Sequence, residues 1–306
     1  MILPKGHSDK YLKDYRDGLI PMGLGLDCEL DKYFLHKEGQ LNFILGHDNV
    51  GKTYVVEWYF LALSMVHGLT FTLFMDENKA GKVYRDLIQM YIGKKYMELT
   101  HKQIQKATEY MEEHFKIVDN TKRYTPTELV EVFNTSNTDV HLIDPFNGLK
   151  TPLQYGSNYD VLNELKMHTK TTNKTIYINA HPTSASGRRN AEYPKEHDWA
   201  GHIMPPLKSD IEGGKPFANK ADDFIIVNRL TKHPTLWKFT MFEVDKIKDV
   251  DTGGSPTMLG IPILMDYNHG LGFIVGGVDV LKRERDKIKN KHEYKSNSLN
   301  GFTIKE

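Results

Sequence analysis

Lys52 and Thr53 close the octapeptide GHDNVGKT (46–53), in which two glycines bracket four residues ahead of an ammonium and a hydroxyl. That order of residue types suits a polyphosphate. Glycines let successive backbone N–H groups close around an anion. A lysine then reaches the β/γ oxygens, and a threonine hydroxyl joins the shell of a Mg²⁺ ion. Gly46, His47, Asp48, Asn49, Val50, Gly51, Lys52, Thr53 and the adjoining Tyr54 are therefore the expected nucleotide contacts, with ATP and Mg²⁺ as cofactors and Thr53 at the metal.

A hydrolytic phosphate site needs three further groups. One is a carboxylate at the end of a neighbouring strand to hold the Mg²⁺ shell. Asp144 closes the apolar run VHLID and fits, although an aspartate there could also be a helix cap. The second is a base that orients the attacking water. Glu77 ends LTFTLFMDE, with Asp76 beside it as a competitor and a solvated acidic turn as the plain alternative. The third is a sensor of the terminal phosphate, for which His181, at the end of TIYINAH, is placed. All three would lie on the carboxyl edge of a sheet, where ligands bind in open α/β folds. The string NKAD (219–222) imitates a guanine-recognition motif, but there the apolar strand precedes the motif. Here the strand follows it, so a GTPase is excluded on order.

The elements that must hold these groups alternate. LNFIL (41–45) predicts a strand, and GKTYVVEWYFLALSMVHG (51–68) a helix apolar nearly all round. LTFTLFMDE predicts a strand and AGKVYRDLIQMYIGK (80–94) a helix. Thr100 with Gln103, and Thr125 with Pro126 and Glu128, mark two helix starts by capping boxes. KIVDN, DVHLIDP and KTIYINAHP predict strands, with YDVLNELKMHTK as a helix among them. This pattern predicts an α/β fold, a mainly parallel twisted sheet flanked by helices on both faces. Residues 183–220 lapse into a long polar segment of the kind that carries function. DFIIVNR, LWKFTMFEVDKIK, GIPILMDY and GFIVGG then predict a run of late strands, and a charged tail follows from 281.

Composition narrows the partners. Forty basic residues balance forty acidic ones, so a polyanion must be held by a local patch. The single cysteine, Cys28, excludes an internal disulfide framework and suits a reducing compartment. No apolar run resembles a signal peptide or an uninterrupted membrane span. The expectation is a soluble, cytoplasmic protein with no membrane partner.

Taken in order, these motifs resemble the RecA-like motor core of DnaB-type replicative helicases, including the phage and Twinkle-like branches, over residues 20–278. The resemblance is carried by LDCELDKYFLHKEGQLNFILGHDNVGKT, FMDENKAGKVYRDLI, VHLIDP, INAHP, SDIEGGKPFANKADDFIIVNR and VDKIKDVDTGG. It implies a hexameric ring with nucleotide between subunits, in a bacterial or phage-infected cell. Glu77 would polarise the attacking water and His181 would sense the γ-phosphate. Lys246 and Lys248 match the basic finger that a neighbour supplies, although the second position is usually arginine, and Arg229 is a further candidate for that task. Single-stranded DNA would thread the ring against Arg188, Arg189, Lys195, Lys208 and Lys215, with Tyr193 and Trp199 available for stacking. A primase or helicase loader is the implied additional partner.

The implied organisation is a linker segment (1–19, with a helix over 8–18), a motor domain (20–280) and a charged tail (281–306). The family's amino-terminal collar or primase domain is missing, so the chain could be a fragment of a longer polypeptide. Two rival readings share the phosphate loop: a recombinase-like, DNA-stimulated ATPase that does not unwind, and a nucleotide-dependent assembly scaffold.

Overall fold

Strand β1 (Leu41–Leu45) is buried at all five positions, as a strand covered on both faces must be. The computed structural model describes residues 2–150, 155–184 and 192–300, without the side chains of 155–157 and 291–300. Before β1 comes one helix, α1 (Asp9–Arg16), with no buried residue. After it the chain alternates: α2 (Lys52–His67), β2 (Phe71–Met75), α3 (Ala80–Ile92), α4 (His101–His114), β3 (Phe115–Ile117), α5 (Pro126–Ser136) and β4 (Val140–Asp144). Then follow α6 (Tyr155–Thr172), β5 (Thr175–Ala180), α7 (Lys215–Lys220), β6 (Phe224–Asn228) and β7 (Phe239–Lys246). The chain closes with α8 (Val250–Gly253), β8 (Ile263–Tyr267), β9 (Phe273–Val275) and α9 (Val280–Asn300).

The nine strands form one sheet in the order β3-β2-β4-β5-β1-β6-β7-β8-β9. The first six in that order are parallel and the last three antiparallel. This is the expected architecture. Apolar side chains alternate to the two faces, and each face has its own core. One gathers Trp58, Phe60, Leu61, Phe71 and Leu87, and the other Phe43, Phe133, Leu165, Phe217 and Phe224. Helix α2 is buried nearly all round because it lies under α3 and α9. Both expected capping boxes are present, at Thr100/Gln103 and Thr125/Glu128.

Three segments differ from expectation. Within 183–220, the chain makes a single 3-10 turn at Lys208–Asp210 and then α7, whose start is masked in the sequence by Gly213, Gly214 and Pro216. Pro216 is tolerated because the first turn of a helix has no use for its missing N–H. The expected strand from Leu236 begins only at Phe239, after a 3-10 turn. The charged tail forms a helix whose first turn belongs to the core: Val280 and Leu281 are fully buried. Among the described residues, no helix is long and apolar enough to cross a membrane.

Candidate nucleotide site

The turn between β1 and α2 is shaped by two glycines. A Cβ on Gly46 would sit 2.3 Å from the carbonyl oxygen of Val227 in β6, so no side chain fits. Gly51 caps α2 in the left-handed region at φ +93°, which glycine reaches without strain. Asn49 also has positive φ, at +62°. The loop thus curls over the amino end of α2, whose unpaired N–H groups and dipole favour an anion.

Lys52 is buried against this loop. Its Nζ donates to the carbonyls of Gly46 (2.7 Å) and His47 (3.0 Å). Burial lowers its pKa, while Asp144, Asp48 and Glu77 work to keep it charged. Thr53 Oγ1 donates to Asp144 Oδ2 at 2.7 Å. Asp144 is the last residue of β4, and burial raises its pKa against the opposing bond from Thr53. A hydroxyl and a carboxylate side by side at a phosphate loop fit Mg²⁺, which takes oxygen ligands and keeps several waters. No group of three or more histidine, cysteine or acidic side chains poised for a metal occurs among the described residues. A cation here would therefore take its remaining ligands from phosphate and water.

Glu77 lies two residues beyond β2 and is 62% exposed. His181 follows β5 directly, as expected. Its Nδ1 meets Asp48 Oδ1 at 2.9 Å, and its Nε2 lies 3.9 Å from Glu77 Oε1, too far for a hydrogen bond. The imidazole therefore sits between the phosphate loop and the candidate base. Asp48, Lys52, Thr53, Glu77, Asp144 and His181 all line one open cleft of about 590 Å³ at the carboxyl edge. Asp76 does not line it: it turns toward Gly148, where an added Cβ would lie 2.5 Å from its own. Tyr54 lines the cleft too, and its hydroxyl accepts from Gly272 N (2.9 Å).

The cleft also holds residues not singled out from the sequence. Glu57, Lys82 and Asp86 line it, on α2 and α3. Glu57 was visible as the one carboxylate in the apolar run VVEWYFLALSMV, yet nothing in that run says which way it faces.

The remaining candidates lie apart. Arg229 follows β6 on the carboxyl edge, where its Nε donates to Trp237 O (2.5 Å) and its guanidinium lies 4.7 Å from the ring centre of Tyr267. Lys246 lies opposite Phe224 in register, so it and Lys248 sit at the far, amino edge of the sheet. Both are tied within the chain: Lys246 Nζ to Ala221 O (2.6 Å) and Lys248 Nζ to Asp222 Oδ1 (2.7 Å). Asp222, the last residue of the NKAD string, faces that edge and accepts from Leu41 N, which agrees with its rejection as a guanine contact.

Among the proposed DNA contacts, Lys208 pairs with Asp245 at 2.5 Å, while Lys195 and Lys215 are exposed. Arg188 and Arg189 lie outside the described residues. Tyr193 and Trp199 pack edge to face, with ring centres 5.1 Å apart.

No protein-family model matches the chain, and no curated protein sequence matches it either. Solved structures do. One is the ATPase domain of a helicase: the TM-score is 0.67 at 12% identity, covering 88% of this chain and 99% of that one. Another is a DnaB-like replicative helicase described with its interactions with primase. Here the TM-score is 0.64 at 12% identity, covering 89% of this chain and 67% of that one. The chain therefore has the RecA-like fold of these helicase ATPase domains.

Proposed function

We propose that the chain is an ATP-dependent DNA helicase motor of the DnaB type. It would hydrolyse ATP between subunits of a hexameric ring, translocate on single-stranded DNA and unwind duplex during replication. The observation that carries this reading is the convergence of Lys52, Thr53, Asp144, Glu77 and His181 on one cleft, from four different strand ends. The likeness of fold to helicase ATPase domains supports it.

In this reading the loop amides and Lys52 bind the β- and γ-phosphates, and Lys52 exchanges its two loop carbonyls for phosphate oxygens. Thr53 and Asp144 would hold Mg²⁺, which supplies charge neutralisation of the phosphates. Glu77, solvated and on the open side of the cleft, orients a water for in-line attack and takes its proton. His181, held by Asp48, is positioned to report the terminal phosphate to the β5 end.

Lys246 and Lys248 act only in trans. Strand β6 lies between them and the chain's own phosphate loop, a span of about 15 Å at ~3.3 Å per residue. A neighbour's phosphates would have to draw Lys248 from Asp222. As a point charge, lysine stabilises the transition state less well than a bidentate arginine. Lys195, Lys208 and Lys215, with Arg188 and Arg189, are the proposed DNA contacts, and a primase or loader the proposed additional partner.

The test is ATP turnover with and without a single-stranded oligonucleotide, with particle mass recorded in the same samples and strand separation scored on a forked duplex. The expected result is a stimulation of about tenfold, ~1.4 kcal/mol off the effective barrier, together with ring assembly and unwinding. Stimulation without unwinding would support the recombinase-like reading, and turnover indifferent to DNA in a monomer would overturn the motor.

A further inference from the structure

Glu57 is the one residue of the nucleotide cleft whose chemistry the phosphate loop does not use. It stands on α2 one turn beyond Thr53, at the i, i+4 spacing that puts two side chains on one helix face about 5–6 Å apart. It is 2% exposed, and its buried Oε1 has no hydrogen-bond partner, yet it lines the same cleft as Thr53 and Asp144. A buried polar atom left unpaired is costly, and its presence in a folded chain calls for a partner that arrives with a ligand.

The neighbours limit what that partner is. Asp86 faces the same cleft from α3, with Oδ1 taken by Arg85 (2.7 Å) and Oδ2 lying 3.5 Å from Lys82 Nζ. Burial first, and Asp86 second, push the Glu57 carboxyl well above its ordinary range. Nucleotide phosphates only accept hydrogen bonds, so they offer a carboxylate nothing. What accompanies them and can donate is the hydration shell of the divalent cation, because Mg²⁺ gives up its waters reluctantly and is bound through one or two protein oxygens.

We propose that Glu57 is a positioning residue for the metal: it accepts a hydrogen bond from the hydration shell of the Mg²⁺ that enters with the nucleotide at Thr53 and Asp144. This rests on the nucleotide reading above. Glu57 touches neither phosphate nor the attacking water. It makes the site selective for the metal-loaded nucleotide, at the expense of stability in the nucleotide-free chain.

Two readouts on the full chain test it. The first is the Mg²⁺ concentration that half-saturates binding of a fluorescent, non-hydrolysable ATP analogue. The second is the melting temperature without nucleotide. Glu57→Leu removes the acceptor, so the Mg²⁺ requirement should rise about tenfold, the usual cost of losing an outer-shell partner. The nucleotide-free chain should melt higher, because an orphaned polar atom is gone. Glu57→Gln keeps an acceptor oxygen of the same size and should fall between the two; it also serves if the leucine variant does not fold. A Mg²⁺ requirement within twofold of the parent in both variants overturns the proposal. So does a lower melting temperature in the leucine variant, which would show that the carboxylate is satisfied without metal, for instance by a trapped water. If the parent chain binds no nucleotide at all, the failure lies with the nucleotide reading and shows before any variant is made.

Discussion

The two edges of the parallel sheet use the same residue types in opposite ways. At the carboxyl edge, Asp48 is 80% and Glu77 62% exposed, and the histidine between them is only one-fifth exposed. At the amino edge, Asp222 and Asp223 are almost fully buried and saturated. Asp222 takes Lys166, Lys248 and the amide of Leu41, and Asp223 takes Lys37 (3.1 Å) and the amide of Lys248 (3.0 Å). The histidines divide in the same manner. His36 and His141 are buried and held neutral, with burial pushing them down to about 4 and about 3, whereas His181 reaches into the cleft. One edge keeps its charges solvated and able to exchange partners. The other uses them as struts that tie β6 to β1 and to α6.

Breaking the open edge should cost the most. Glu77→Gln is expected to lower ATP turnover by roughly 10²–10⁴-fold, the scale of a lost general base, while nucleotide affinity stays close to that of the parent. Equal turnover in the two proteins would remove Glu77 from that role.

Stability should respond in reverse. Asp222→Ala strands Lys166 and an amide in the interior, and a loss of about 3–5 kcal/mol in urea unfolding is expected for a broken buried pair. Asp48→Ala, at the solvated edge, should stay within about 0.5 kcal/mol. Similar costs for the two would erase the contrast.

Acid should sharpen it. Below the ordinary histidine pKa near 6.5, the unfolded chain binds protons that folded His36 refuses until about 4. Stability is therefore fully present above 6.5 and is lost as pH falls toward 4, by about 3 kcal/mol for His36 alone. An unfolding midpoint flat between pH 6.5 and 4.5 would show that His36 is already charged in the fold.

Much of this was legible in the sequence, for a local reason. Lys52, Thr53, Asp144 and His181 each stand at or next to the end of an apolar run, and strand ends in a parallel sheet share an edge. Glu77 was legible in the same way, although its strand stops two residues earlier. What could not be read depends on contacts across the chain. The face that Glu57 presents is fixed by how α3 lies on α2, which no spacing within α2 records. Lys246 and Lys248 read as free cations because their partners, Ala221 and Asp222, belong to another strand's approach. Helix α7 was hidden by the glycines and proline that begin it. The first turn of α9 was hidden because two apolar residues, Val280 and Leu281, introduce a long charged stretch.

The close approach of Gly46 to Val227 bears on how the molecule works as a machine. The phosphate loop and β6 touch backbone to backbone, with no side chain between them to absorb displacement. Two residues beyond Val227 is Arg229, stacked on Tyr267 of β8. A shift of the loop on gaining or losing a phosphate is thereby geared directly to the antiparallel half of the sheet. It passes through a rigid linkage a few bonds long, and the slack in that linkage is set by the absence of one methyl group.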